Sequence, residues 1–196
     1  MPSIQHLALI AMALLASCSS STTTYSAATN SGGPRSPTPT TVVGAETAQV
    51  ATVTQVATVT RVVDGDTIDV NLSGQRERIR LIGIDTPESV KPDSVVECYG
   101  VAASQHLSEL LPAGTEVELV RDAELRDPYE RLLAYVFRRS DGLFVNLTMA
   151  ADGFANTLSI PPNVTFAEDM RAAVSQARGQ GLGLWKACPD PDTLFS

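Results

Sequence analysis

Two short stretches hold more ionisable side chains than a turn requires. Asp64, Gly65 and Asp66 stand between two apolar runs, and the segment Arg80 to Glu88, RLIGIDTPE, is an apolar run ending in two carboxylates. Residues two apart share a face of a strand, so Arg76, Arg78 and Arg80 share one face, and Glu77 and Ile79 the other. Pro87 keeps Thr86 extended and ends the ladder, after which Glu88 can turn back toward Asp85. If the strands on either side of the next turn pair, Asp66 approaches Asp85. Converging carboxylates repel by several kcal/mol unless a cation sits among them. Oxygen ligands, including the main-chain carbonyl of Thr86, suit a hard cation such as calcium. Arginines beside such a cation suit a phosphate diester. Taken singly, the first stretch is an ordinary turn, the second a solvated loop, and the arginine face a solvated sheet face. The chemistry depends on their meeting.

The elements that must bring them together follow from periodicity. Residues 57–72, ATVTRVVDGDTIDVNL, read as strand, turn, strand, with Gly65 at a position favouring positive φ. A third strand covers GQRERIRLIGID after a turn at Ser73 and Gly74. Tyr99 to Leu111 has helical spacing and stops at Pro112. TEVELVRDAE and RLLAYVFRR are two further strands. A short helix follows in LFVNLTMAADGF, with Asn146 as N-cap and Gly153 at its end. A longer helix begins at Thr165, with Glu168 completing a capping box. Five strands, one helix between the third and fourth and helices at the end predict an α+β fold: a five-stranded OB-type β-barrel with three helices. The order is not alternating βαβ, so a doubly wound sheet is disfavoured.

In this order the chain carries VVDGDTI, RIRLIGIDTPE, ECYGVAAS, RDPYERLLAYVF, LTMAADGFAN and GLGLW. Together these motifs resemble the thermonuclease (staphylococcal nuclease) family over roughly Ala57 to Lys186. The resemblance implies an OB-type barrel with three helices and calcium-dependent hydrolysis of DNA and RNA to 3'-phosphate products. It implies a metal held by Asp66, Asp85 and the Thr86 carbonyl. It implies phosphate-binding arginines at Arg80 and Arg131, a water-positioning or water-deprotonating acid at Glu88, and a tyrosine near a terminal phosphate at Tyr129. The substrates implied are single-stranded or frayed DNA and RNA, met by a monomer.

Three departures from the family pattern bear on binding. The family often has base-packing tyrosines where this chain reads GFANTLSIPPN, which has none. Glu130 stands where glycine is usual before the second arginine, and its charge opposes phosphate binding at Arg131. The loop after Glu88 holds one lysine, Lys91, which predicts a weaker nonspecific grip on nucleic acid. The formal net charge of −8 points the same way. A general nucleic-acid binder is excluded, and any polyanion must be met by a local cationic patch or a bound metal.

The N-terminus reads differently. Residues 1–18 hold an apolar core too short to span a bilayer comfortably, which fits a signal peptide. Leu15 to Cys18 resembles a bacterial lipobox, although the preceding region has His6 and no Lys or Arg. The expectation is a lipid on Cys18, anchoring the chain to the membrane in an extracytoplasmic location; the alternative is a secreted protein. Residues 19–56, rich in Ser, Thr, Ala, Gly and Pro, predict a disordered tether, and residues 57–196 form the domain. With Cys18 assigned to lipid, Cys98 and Cys188 remain as an even pair in an oxidising space. They are expected to be bonded, the alternative being two free thiols. His106, the one histidine within the domain, is expected on a helix surface, and Trp185 as a core plug. No zinc cluster or Ser-His-Asp set can be built from this inventory. A rival function from another class is a non-catalytic OB module that binds a nucleotide or a protein partner at the cell envelope.

Overall fold

The computed structural model describes residues 54–89 and 96–195. The expected signal peptide, Cys18, Lys91 and nearly all of the expected tether lie outside the described residues. Strand β1 (Thr54–Val62) starts three residues inside the expected tether, because Thr54, Gln55 and Val56 pair with Val120, Leu119 and Glu118 of β5 (Glu116–Val120).

β1 pairs antiparallel with β2 (Thr67–Leu72), which pairs antiparallel with β3 (Gln75–Leu81). The turn between β2 and β3 places Ser73 and Gly74 at positive φ, the backbone of a tight hairpin. On the other side β5 pairs with β6 (Leu132–Arg138). β6 then runs parallel to β3, with Ile79, Arg80 and Leu81 opposite Leu132, Leu133 and Ala134. The order β3-β2-β1-β5-β6 is therefore closed into the five-stranded barrel expected from the sequence. Closure leaves the interior to alternate side chains: Val59, Ile68, Val70, Ile79, Leu81, Val117 and Leu119 are buried.

Three helices cover the barrel: α1 (Gly100–Leu110), α2 (Val145–Ala151) and α3 (Ala167–Gln180), followed by the single turn α4 (Leu184–Ala187). Three short strands complete the fold. β7 (Leu143–Phe144) extends the sheet beside β6, and β4 (Gly83–Asp85) pairs with β8 (Asn156–Leu158). Ala103 and Leu107 of α1, Val145 and Met149 of α2, and Met170 and Val174 of α3 complete the core.

Both expected helix caps differ. Phe144 and Phe166 occupy the N-cap positions of α2 and α3, neither with a side-chain cap bond. Asn146 is instead fully buried inside α2. Its Oδ1 accepts the Val136 N–H at 2.9 Å and its amide donates to the Ile82 carbonyl at 2.9 Å. A core site with unpaired main-chain groups required it more than the helix terminus did. The Thr165 N–H donates to Asp122, tying the chain ahead of α3 to the residues after β5. His106 is half-buried rather than on the surface. Its ring stacks on Phe154 at 4.0 Å and its Nε2 lies 2.9 Å from Asp152. Trp185 packs against the core edge, with the Arg178 guanidinium 4.5 Å from its ring centroid.

Candidate active site

The β1–β2 turn and the end of β3 meet because the strands pair with Thr67 opposite Arg80. Asp66 therefore sits beside the Arg80 side chain, and β4 then delivers Asp85. One cleft of about 200 Å³ is lined by Asp64, Asp66, Arg80, Asp85, Thr86, Pro87, Glu88 and Arg131. The structure thus brings together the carboxylates, the threonine and both arginines that the sequence singled out.

Asp66 is nearly buried and organises the cleft. Its Oδ2 accepts both the main-chain N–H and the hydroxyl of Thr86, each at 3.1 Å, and lies 3.2 Å from Arg80 Nη2. Its Oδ1 accepts the Thr67 hydroxyl at 3.1 Å. Gly65 was expected to serve a positive φ, yet it is absent from the positive-φ glycines. Its requirement is close approach: a Cβ there would lie 2.6 Å from the Thr86 hydroxyl.

Arg80 is held rigidly. Nη1 donates to the carbonyls of Leu81 and Ile84 at 2.6 and 2.9 Å, and Nη2 donates to Asp85 at 2.9 Å. Both terminal nitrogens of this expected phosphate-binding arginine thus already have protein oxygens as partners. Arg131 is aimed by Asp127, which accepts from its Nε at 2.6 Å and from its main-chain N–H at 2.9 Å. Tyr129 is 80% exposed, with the Arg131 guanidinium 5.5 Å from its ring centroid. It does not line the cleft. It lines an adjoining, mostly apolar groove of about 240 Å³ that includes Leu133, Leu158 and Ile160 and shares Arg80 and Arg131 with the cleft.

Glu88 is bracketed by a residue that sequence reasoning missed. Its N–H donates to Glu97 Oε2 at 2.7 Å, and its carbonyl accepts the Glu97 N–H at 2.9 Å. Gly100 makes room for this bracket, since a Cβ there would lie 2.5 Å from the Glu88 carbonyl oxygen. Cys98, next to Glu97, is joined to Cys188 with Cα atoms 5.9 Å apart. Asp64 was also passed over as a site residue. Its signal was its place two residues before Asp66.

Charge decides what this cleft can hold. Among the described residues no group of three or more His, Cys, Asp or Glu side chains forms a metal cage. The cleft nonetheless sets four carboxyls against two guanidiniums. Burial pushes the Asp85 carboxyl above its ordinary range; Arg80 opposes that shift, and Asp66, Glu97 and Glu88 add to it. Burial and then Asp66 push Asp64 up to about 6. Excess negative charge with oxygen donors fits a hard divalent cation that keeps part of its water shell. Asp66, Asp85 and the Thr86 carbonyl are the residues that would hold it.

Fold and cleft define the class: a closed five-stranded OB-type barrel with a charged cleft where β3 leaves the sheet. The family model described as staphylococcal nuclease homologue matches residues 78–187, a span that includes Arg80, Asp85, Thr86, Glu88 and Arg131. A thermonuclease from Staphylococcus intermedius is 42% identical over 126 residues, covering 64% of this chain and 73% of that protein. Endonuclease YncB from Bacillus subtilis (strain 168) is 37% identical over 127 residues, covering 64% of this chain and 59% of that protein. The SPbeta prophage-derived endonuclease YokF from the same organism is 38% identical over 127 residues, covering 64% of this chain and 42% of that protein. The chain belongs to the staphylococcal nuclease homologue family.

Proposed function

We propose that this chain is a calcium-dependent nuclease that hydrolyses phosphodiesters of DNA and RNA, leaving 3'-phosphate products. The observation that carries this reading is the single cleft lined by Asp66, Arg80, Asp85, Thr86, Glu88 and Arg131. A binding module has no need of two carboxylates, a third acid and two arginines around one phosphate-sized space. The names of the thermonuclease and endonuclease relatives support the same activity.

The residues divide the work by charge. Arg131, oriented by Asp127, and Arg80, fixed against main-chain carbonyls, face a phosphate whose negative charge grows in a five-coordinate transition state. Preorganised donors of this kind contribute several kcal/mol each. A phosphate entering the cleft competes with Asp85 for Arg80 Nη2. Glu88 holds the attacking water in line with the 5' oxygen. The water oxygen bonds to phosphorus, the bond to the 5' oxygen breaks, and the water's proton passes by way of the carboxylate or solvent to the leaving oxygen. A bound cation supplies charge neutralisation to phosphate and water. The apolar groove beside the cleft takes the base, with Leu158 and Ile160 giving aliphatic contact where the family often has tyrosines.

The location proposed is outside the inner membrane, through a lipid on Cys18 after removal of residues 1–17, with residues 19–53 as tether. Among the described residues no helix is long and apolar enough to cross a membrane. The test is incubation of the full chain with denatured DNA, with calcium or with a chelator. Calcium-dependent shortening with 3'-phosphate ends is expected. Intact DNA in both tubes overturns the reading in favour of a non-catalytic module.

A further inference from the structure

Outside the cleft, one nearly buried carboxylate gathers three arginines on the outer face of β1, β2 and β3. Asp69 is 1% exposed, yet it lies on the solvent side of the barrel wall beneath three arginines. Its Oδ2 accepts from Arg61 Nε at 2.7 Å and Arg76 Nη2 at 2.5 Å, and its Oδ1 accepts from Arg78 Nε at 2.9 Å. A register shift in β1 between Val59 and Arg61 sets Arg61 opposite Asp69. Such a bulge re-aims a side chain. One carboxylate therefore gathers three guanidiniums and leaves a net positive patch on a chain whose overall charge is −8.

The three side chains are 57%, 65% and 45% exposed. Each guanidinium has five N–H donors. Arg61 and Arg76 each direct one at Asp69 and Arg78 directs two, the second at 3.4 Å. Most of their donors face water. Arg76, Arg78 and Arg80 alternate along one face of β3, about 6.5 Å apart, a spacing comparable with that of successive phosphates in an extended single strand. The patch is continuous with the cleft: a shallow groove of about 490 Å³ is lined by Asp69, Arg76, Arg78, Tyr129, Glu130 and Arg131.

We propose that Arg61, Arg76 and Arg78, gathered by Asp69, form an extended binding surface for the phosphate backbone of a single-stranded nucleic acid, which follows the groove past Tyr129 away from the cleft. The proposal rests on the nuclease reading for its choice of ligand. It explains how an acidic chain without the base-packing tyrosines of the GFANTLSIPPN stretch holds a polyanion: the grip is local, phosphate-directed and indifferent to sequence. Asp69 keeps the three guanidiniums from repelling one another apart, so the surface is set before the strand arrives.

The test compares the full chain with its R61Q/R76Q variant, using fluorescent single-stranded DNA with chelator present. One strand has about 20 nucleotides, longer than one OB fold covers, and one has about 4. The variant is expected to bind the long strand about tenfold more weakly, with a salt slope shallower by about 1.4 for two lost phosphate contacts. Binding of the short strand should be unchanged, and R61K/R76K should recover most of the loss. Should R61Q/R76Q melt below the assay temperature, R76Q alone carries the comparison. Equal long-strand affinity and equal slope in wild type and variant overturn the proposal and leave the nuclease reading standing. Absence of cleavage with calcium removes that reading without altering the binding comparison. Arginine-dependent capture of phosphatidylglycerol vesicles, with strand binding unchanged, assigns the patch to a membrane and overturns the proposal.

Discussion

Glu97 and Glu88 hold each other through two hydrogen bonds, one from the Glu88 N–H to Glu97 Oε2 and one from the Glu97 N–H to the Glu88 carbonyl. The first fixes the backbone that carries the acid proposed to position water, so Glu97 acts through Glu88 and is a positioning residue. Glu97→Ala is expected to lower kcat about tenfold with KM changed little, since small misplacements at a reacting centre are costly. Glu97→Gln keeps an acceptor and should recover most of the rate. Steady-state kinetics on a short single-stranded substrate separates the two parameters, and equal loss in both variants would assign the effect to charge instead.

The cation site makes a separate demand. Asp85 lines the cleft with one oxygen bonded to Arg80, and Asp66 is engaged with Thr86. Asp85→Ala should lose calcium binding, or weaken it severely, when the ion is titrated calorimetrically into the variant. Unchanged binding would remove Asp85 from the metal set.

Glu130 has φ of 62°, in the left-handed region, where a residue other than glycine is strained by roughly 1 kcal/mol. It also places a carboxylate in the groove beside Arg131. Glu130→Gly should remove both penalties. The strain relief is partly offset by the entropy of glycine in the unfolded chain, so stability should change by less than about 1 kcal/mol. Affinity for single-stranded DNA should rise by about threefold, with a steeper salt dependence. Weaker binding by the variant would show that Glu130 supports the groove.

Asn146 shows where the sequence stopped being informative. Beside Phe144 and ahead of a helical run it read as a cap, because capping is local. Its partners are Val136 N–H and Ile82 carbonyl, distant in sequence, and no local period marks them. The same limit hid Glu97, whose partner lies across a loop, and the β4–β8 pair that carries Asp85. The barrel strands were legible because Ile79 and Leu81 alternate with arginines, and the charged cleft was legible because its residues cluster within short motifs. Asn146→Ala leaves a buried N–H and carbonyl unpaired and should cost about 2–4 kcal/mol of stability. Activity per folded molecule should change little. Urea unfolding at fixed pH, with activity measured below the transition, gives both numbers.

Asp69 gives the fold a pH signature distinct from that of the cleft. Burial alone would push its carboxyl up, but hydrogen bonds from Arg78, Arg76 and Arg61 outweigh burial and hold it well below the ordinary carboxylate range. A folded-state pKa below the unfolded value of about 3.9 adds stability that is fully present above that value. The stability is lost as pH falls through it toward the folded pKa. Asp69→Asn should therefore destabilise the protein most near neutral pH, by about 2 kcal/mol. That is below the usual cost of breaking a buried pair, because the three guanidiniums are about half in water. The gap between wild type and variant should shrink below pH ~4, where the native aspartate begins to take up its proton in the unfolded chain. Unfolding free energies measured from pH 7 down to pH ~3 test this. A gap that stays constant across the range would mean that Asp69 stabilises by packing or by neutral hydrogen bonding, not by its charge among the three arginines.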